Sequence, residues 1–158
     1  METPQIATHP LPCWREKADF ILQADLADHG LPGTHEQLWG RRVGDDTFEI
    51  CCIPFFTYGI SLGDIVKAGR RGDRPWVVSE VIERRGHGTV RLAFANPQQA
   101  DALHEQIHAS LAKWPWPHEW RGSGYVALDV PVGESPDAII DLFRDEIDST
   151  ILICEIAS

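Results

Sequence analysis

The sequence predicts an α+β protein in which an N-terminal β-meander or small barrel precedes a β-α-β-α-β lobe of ferredoxin-like arrangement. Three observations predict it. Before Gly88 the apolar segments are short, rich in β-branched and aromatic residues, and separated by Gly, Asp and Pro turns, as strands are. After Gly88 apolar residues fall twice into helical spacing, each time flanked by strand-like runs. With 158 residues and 43% hydrophobic content, the chain can build one sizeable core, so the two lobes are expected to share it.

Taken in order, residues 1–16 are Pro-rich and aperiodic and are expected to form a flexible arm. The β-rich lobe spans 17–88, with strands expected at 19–26, 37–42, 47–53, 64–68 and 76–84. Gly44-Asp45-Asp46 and Gly72-Asp73 supply turn chemistry between them. The α/β lobe spans 89–158. It opens on an alternating strand over 89–94, in which Val90, Leu92 and Phe94 face one side. Asn96, Pro97 and Gln99 then read as a helix start, because a side-chain acceptor precedes a residue with no N–H to satisfy. Leu103, Ile107, Leu111 and Trp114 mark that helix's buried face, and Pro115 and Pro117 end it. A strand over 125–130 follows, and Ser135 and Pro136 open a second helix burying Ile139, Ile140, Phe143 and Ile147. A strand over 150–156 closes the chain. A tight hairpin within 119–130 would complete the ferredoxin-like order.

Composition narrows the classes of function. The first residues show neither a basic segment nor an apolar run, and no later stretch has the length and apolarity of a bilayer span, so a cytoplasmic protein is expected. Cys13, Cys51, Cys52 and Cys154 have no metal-ligand spacing and too low a density for a disulfide scaffold, and read as reduced packing residues. The net charge of −10 is segregated: residues 1–91 carry 13 acids against 11 bases, residues 92–158 carry 11 against 3. A lobe holding −8 repels duplex nucleic acid and anionic membrane and favours a basic partner.

Several motifs carry candidate chemistry. In residues 53–66, IPFFTYGISLGDIV, Gly59 and Gly63 permit tight turns around Tyr58, Ser61 and Asp64; Asp64 is expected either to orient a ligand in a pocket or to cap a turn. At 84–89, Arg84 and Arg85 precede Gly86-His87-Gly88, an arrangement suited to an anion, with Arg91 close by and His87 available as a base. The Arg pairs at 41/42, 70/71 and 84/85 lack interleaved aromatics, so nucleic-acid binding is not the expectation. His104-Glu105-Gln106-Ile107-His108 matches the helical zinc signature in letter, but Leu111 and Trp114 stand where an extended third-ligand pattern needs Gly and His, so no metal site is assigned. Finally, Asp137, Asp141, Asp145 and Asp148 line one face of the second predicted helix, and like charges at that spacing repel unless a cation binds them.

The segment Trp39-Gly40-Arg41-Arg42, the run IPFFTYGISLGDIV and the run RGHGTVRL together resemble a bacterial domain family of unknown function, over most of residues 17–156. The resemblance implies no reaction, cofactor or catalytic residue.

The expectation is a non-catalytic binding protein whose acidic surface, including Asp137, Asp141 and Asp145, takes a basic partner protein, as an inhibitor or immunity-type protein would. The chain has no P-loop, Rossmann glycine pattern or nucleophile elbow, and no cofactor is expected. The alternative is a small enzyme or an anion- or nucleotide-binding protein with a pocket at Tyr58, Asp64, His87 and Arg91, joined by Ser61 and Arg85; a zinc hydrolase through His104, Glu105 and His108 is its weaker variant.

Overall fold

The computed structural model describes residues 5–96 and 102–157. Among the described residues ten strands, β1 (Gln5–Ala7), β2 (Phe20–Asp25), β3 (Thr34–Arg42), β4 (Thr47–Ile50), β5 (Ile65–Arg71), β6 (Arg74–Glu83), β7 (Gly88–Phe94), β8 (His118–Arg121), β9 (Tyr125–Val130) and β10 (Leu152–Ile156), outweigh three α-helices, α1 (Ala102–Lys113), α2 (Asp137–Leu142) and α3 (Arg144–Asp148).

The α+β, ferredoxin-like expectation is therefore corrected: the molecule is mainly β, a closed five-stranded barrel plus a second, four-stranded antiparallel sheet. Closure depends on β3, which is long enough to pair along Phe20–Asp25 of β2 and then, past Gly40, with β4. β4 pairs with β5, β5 with a bulged β6, and β6 returns to β2 through the parallel bridge Gln23↔Val77. Closing the barrel satisfies strand edges that an open meander leaves exposed. The hairpin considered within 119–130 is present, as β8 and β9 turning at Gly122, whereas the single second helix expected is split at Phe143, whose φ of −115° is not helical. The cap expected at Pro97 and Gln99 lies outside the described residues.

Residues 5–16, expected as part of a loose arm, are pinned. Gln5–Ala7 pair in parallel with Thr34–Glu36, the Trp14 N–H donates to the Cys51 carbonyl, and His9 is buried. Backbone pairing and a buried side chain outweigh the entropy that a Pro-rich segment keeps when free.

The core has three parts. Leu22, Leu38, Phe48, Ile50 and Val66 fill the barrel. Val90, Leu92, Leu128, Ile107, Leu111, Ile139 and Phe143 join one face of the second sheet to all of the helices' apolar stripes. Between the two sheets, Ile53, Phe55, Leu62 and Ala127 pack with Cys13, Trp14 and Tyr125. The four cysteines are free thiols.

Gly40 shows how tightly β3 is bent. A Cβ there would lie 3.2 Å from Leu22 Cδ1 and 3.3 Å from the Glu49 carbonyl oxygen. Replacing Gly40 with Val is expected to cost about 1–3 kcal/mol by overpacking this crossing, read as a lower urea midpoint with an unchanged slope.

Candidate functional site

The loop from Ile53 to Asp64 connects β4 to β5 and lies between the two sheets. Its C-terminal half is a turn built around Asp64. Oδ2 of this buried carboxylate accepts from the Ser61 N–H (2.9 Å), Oδ1 from the Arg85 N–H (3.0 Å), and Arg84 stands 4.0 Å away. Gly63, at φ +86°, allows the reversal. Ser61 is also buried and shares a hydroxyl contact of 3.2 Å with Thr89. Asp64 and Ser61 thus hold the loop and the start of β7 together, with Asp64 capping the turn.

His87 goes elsewhere. Its Nδ1–H donates to Asp129 on β9 at 2.8 Å, and its ring meets Trp14 edge-on at 5.9 Å. Burial raises the Asp129 pKa, and the bond and charge of His87 oppose that rise. Arg85 is exposed and pairs with Glu83 at 3.2 Å.

Tyr58 and Arg91 do meet, with the guanidinium 5.0 Å from the ring centre. Arg91 is 2% exposed and bonded through all three of its nitrogens: Nε donates to the Pro54 carbonyl (3.3 Å), one terminal nitrogen to the Thr57 carbonyl and the other to Glu155 (3.2 Å). These bonds tie the loop to β7 and β10 from a buried position. The Tyr58 hydroxyl donates to the second oxygen of Glu155 at 2.5 Å, and this bond raises the tyrosine's pKa. A groove of about 380 Å³ opens here, lined by His29, Leu31, Phe56, Tyr58, Tyr125, Ile153 and Glu155 among others. The four residues expected to form one pocket therefore separate into three places: a turn at Asp64, a pair at His87 and a groove at Tyr58 and Arg91.

The histidines of the zinc-like signature pack as flat rings. His104 stacks on Phe94 at 3.7 Å and His108 on Trp120 at 3.8 Å, while His108 Nε2 donates to the Ser123 carbonyl at 2.8 Å. That commitment leaves the pair poorly placed to chelate one ion.

The strongest electrostatic feature was not singled out from the sequence. His9 lies between Glu36 of β3 and Glu119 of β8, with Nε2 and Nδ1 each 2.7 Å from a carboxylate oxygen. Carboxylates only accept, so both ring nitrogens donate and the ring is an imidazolium. Glu36 also accepts from the N–H groups of Phe55, Phe56 and Thr57 and from the Thr57 hydroxyl; Glu119 accepts from Ile53 and Cys13. Phe55 stacks on the His9 ring at 4.2 Å and 1°. Burial by itself would lower the His9 pKa, but Cys52, Glu119 and Glu36 hold it up at about 12. For Glu36 burial works upward, yet His9 and the backbone donors keep its pKa below the ordinary value. His9, Glu36 and Glu119 are at most 4% exposed, so this cluster is a staple, closed to substrate. The one available sequence signal was a histidine in a segment otherwise without aromatic or basic anchors before Cys13.

The aspartates of the predicted ridge remain on the surface. Asp137, Asp141, Asp145 and Asp148 are exposed although α2 and α3 are separate helices. Arg144 is the one cation within these two helices. It donates to Asp141, and Asp141, Asp148 and Asp137 all raise its pKa.

Fold and site define a small two-sheet β protein, stapled internally by an ion triad and presenting an aromatic groove and an acidic helical face. The chain belongs to the family described as a domain of unknown function, DUF4265, whose model matches residues 36–152. The Trp39, 53–66 and 85–92 runs all fall within that span. Among solved structures, the chain is similar to a hypothetical protein from Neisseria gonorrhoeae, at 20% identity and a TM-score of 0.63, over 78% of this chain and 82% of that one. This likeness supports the fold. Comparison with curated proteins finds no match. Among the described residues, no helix is long and apolar enough to cross a membrane.

Removing the His9 ring leaves two buried carboxylates without their shared cation, so His9→Ala is expected to cost about 3–5 kcal/mol in a denaturant titration. The pH dependence has a definite sign. His9 binds its proton more tightly folded than unfolded, so its contribution is complete below its ordinary value of 6.5 and declines as pH rises from there toward 12. Glu36, shifted downward, contributes fully above its ordinary value of 4.5 and loses that as pH falls. Wild-type stability is expected to decline above pH 6.5 by up to about 1.4 kcal/mol per pH unit, and His9→Ala to flatten this slope.

Proposed function

We propose that the protein is a non-catalytic, cytoplasmic bacterial binding protein whose acidic C-terminal surface captures a basic partner protein. The observation carrying this reading is the exposure of Asp137, Asp141, Asp145 and Asp148 around a single, already paired Arg144. Like charges this close raise the free energy of the unbound protein, and a cationic partner relieves it. The charge segregation supplies the longer-range counterpart: a field of this sign speeds association with a cation and repels duplex nucleic acid. An inhibitor or immunity-type role, in which a cationic protein is masked, uses both properties. The dispersal of Tyr58, Asp64, His87 and Arg91 supports this reading over a small enzyme, since acid–base chemistry needs its groups within hydrogen-bond reach of one substrate.

Capture of a basic protein from the native lysate is expected to be lost when Asp141→Lys and Asp145→Lys are combined, with thermal unfolding within about 0.5 kcal/mol of wild type because both positions are exposed. Capture should weaken steeply with added salt. Retention of the same partner by the double variant, or capture indifferent to salt, would overturn the proposal.

A further inference from the structure

We propose that the outer edge of β10 is a docking site for an extended segment of the partner, in which apolar residues alternate with Lys or Arg. The basic half of this specification rests on the acidic-surface reading; the edge itself stands on backbone geometry. In the second sheet the strand order is β10-β7-β9-β8, so among the described residues β10 pairs on one side alone. The Ala157 N–H donates to the Thr89 carbonyl and the Ala95 N–H to the Ile151 carbonyl, and these pairs flank the register Ile153↔Ala93 and Glu155↔Arg91. Antiparallel ladders alternate, so Ile153 and Glu155 bond to β7, whereas the N–H and C=O groups of Leu152, Cys154 and Ile156 point away from it. An extended segment can pair with that row.

The two faces of β10 specify the side chains of such a segment. Ile153 and Glu155 open onto the groove, where Leu31, Tyr58 and Ile153 are each 42–54% exposed, an unusual concentration of bare apolar surface in one place. Cations are disfavoured on this side, since Arg121 already lies 5.0 Å over Phe56. Leu152 and Cys154 turn instead to the face covered by α2 and α3, where Ile139, Phe143 and Ile147 pack and where the aspartates stand. Apolar residues therefore belong opposite Ile153 and Glu155, and basic residues opposite Leu152, Cys154 and Ile156, which is the period-two alternation of a strand. A second copy of this chain fits poorly, because pairing β10 with itself brings two acidic helical faces onto a common sheet.

The test uses a blocked peptide, Val-Lys-Val-Lys-Val-Lys, and the same peptide N-methylated at alternate residues, so that charge and shape persist while one bonding edge is removed. The full-length protein is expected to bind the first at least tenfold more tightly, with slowed amide exchange at Leu152 and Cys154. Ile156→Pro removes an outward N–H under a half-exposed side chain without touching the β7 ladder, and is expected to weaken binding by a similar factor at unchanged melting temperature. Equal binding of the N-methylated peptide, or undiminished binding by Ile156→Pro, overturns edge docking; if Asp141→Lys with Asp145→Lys still abolishes that binding, the acidic reading survives alone. Equal binding of Val-Glu-Val-Glu-Val-Glu overturns the basic specification and the acidic reading with it. No binding of the first peptide at millimolar concentration overturns edge docking.

Discussion

A single imidazolium holds the molecule together. His9 binds one carboxylate from the barrel and one from the second sheet, and those carboxylates in turn take the backbone N–H groups of the connecting loop at Ile53, Phe55, Phe56 and Thr57 and that of Cys13 in the N-terminal segment. Two buried anions this close are untenable without the cation, and a buried cation is untenable without both anions. The loop cannot satisfy those donors otherwise, because it runs through the interior where water does not reach. The arrangement specifies one relative placement of N-terminal segment, barrel and sheet in a way that apolar packing at Ile53, Phe55 and Ala127 by itself would not.

Arg91 applies the same logic a strand away. It is a buried cation whose partners are two loop carbonyls and Glu155, and Tyr58 closes the far side of that carboxylate. The interior between the sheets is thus polar, with its charged residues held by partners within the protein. Among the described residues, the surface presents the aspartates of α2 and α3, the apolar lining beside Tyr58, and the outward backbone row of β10.

Much of the local structure was legible in the sequence. The period-two run ending at Phe94 became β7, residues 125–130 became β9, and the apolar stripe of Ile107 and Leu111 became the buried face of α1. Turn chemistry placed the β3–β4 hairpin near Asp45 and the β5–β6 hairpin at Gly72. Local periodicity failed at β1 and β8, which are three and four residues long and are strands because of their neighbours. It also failed at Phe143, a buried residue of non-helical φ that divides the helix the apolar spacing implied. Of the candidate site, Tyr58 with Arg91 was a proximity the sequence could suggest, while Glu155, 64 positions beyond Arg91, was not.

By itself the sequence determined the approximate place of most strands and of the helices, the faces that α1 and α2 bury and how charge divides along the chain, because these depend on residues a few positions apart. Tertiary structure alone decided that the barrel closes, that a histidine at position 9 is an imidazolium, and that Asp64 and Arg91 are committed inward. The partners of His9 lie 27 and 110 positions away. No pattern within a strand or helix encodes such a meeting, since it exists only once closure of the barrel and packing of the sheet have excluded water from the space they share.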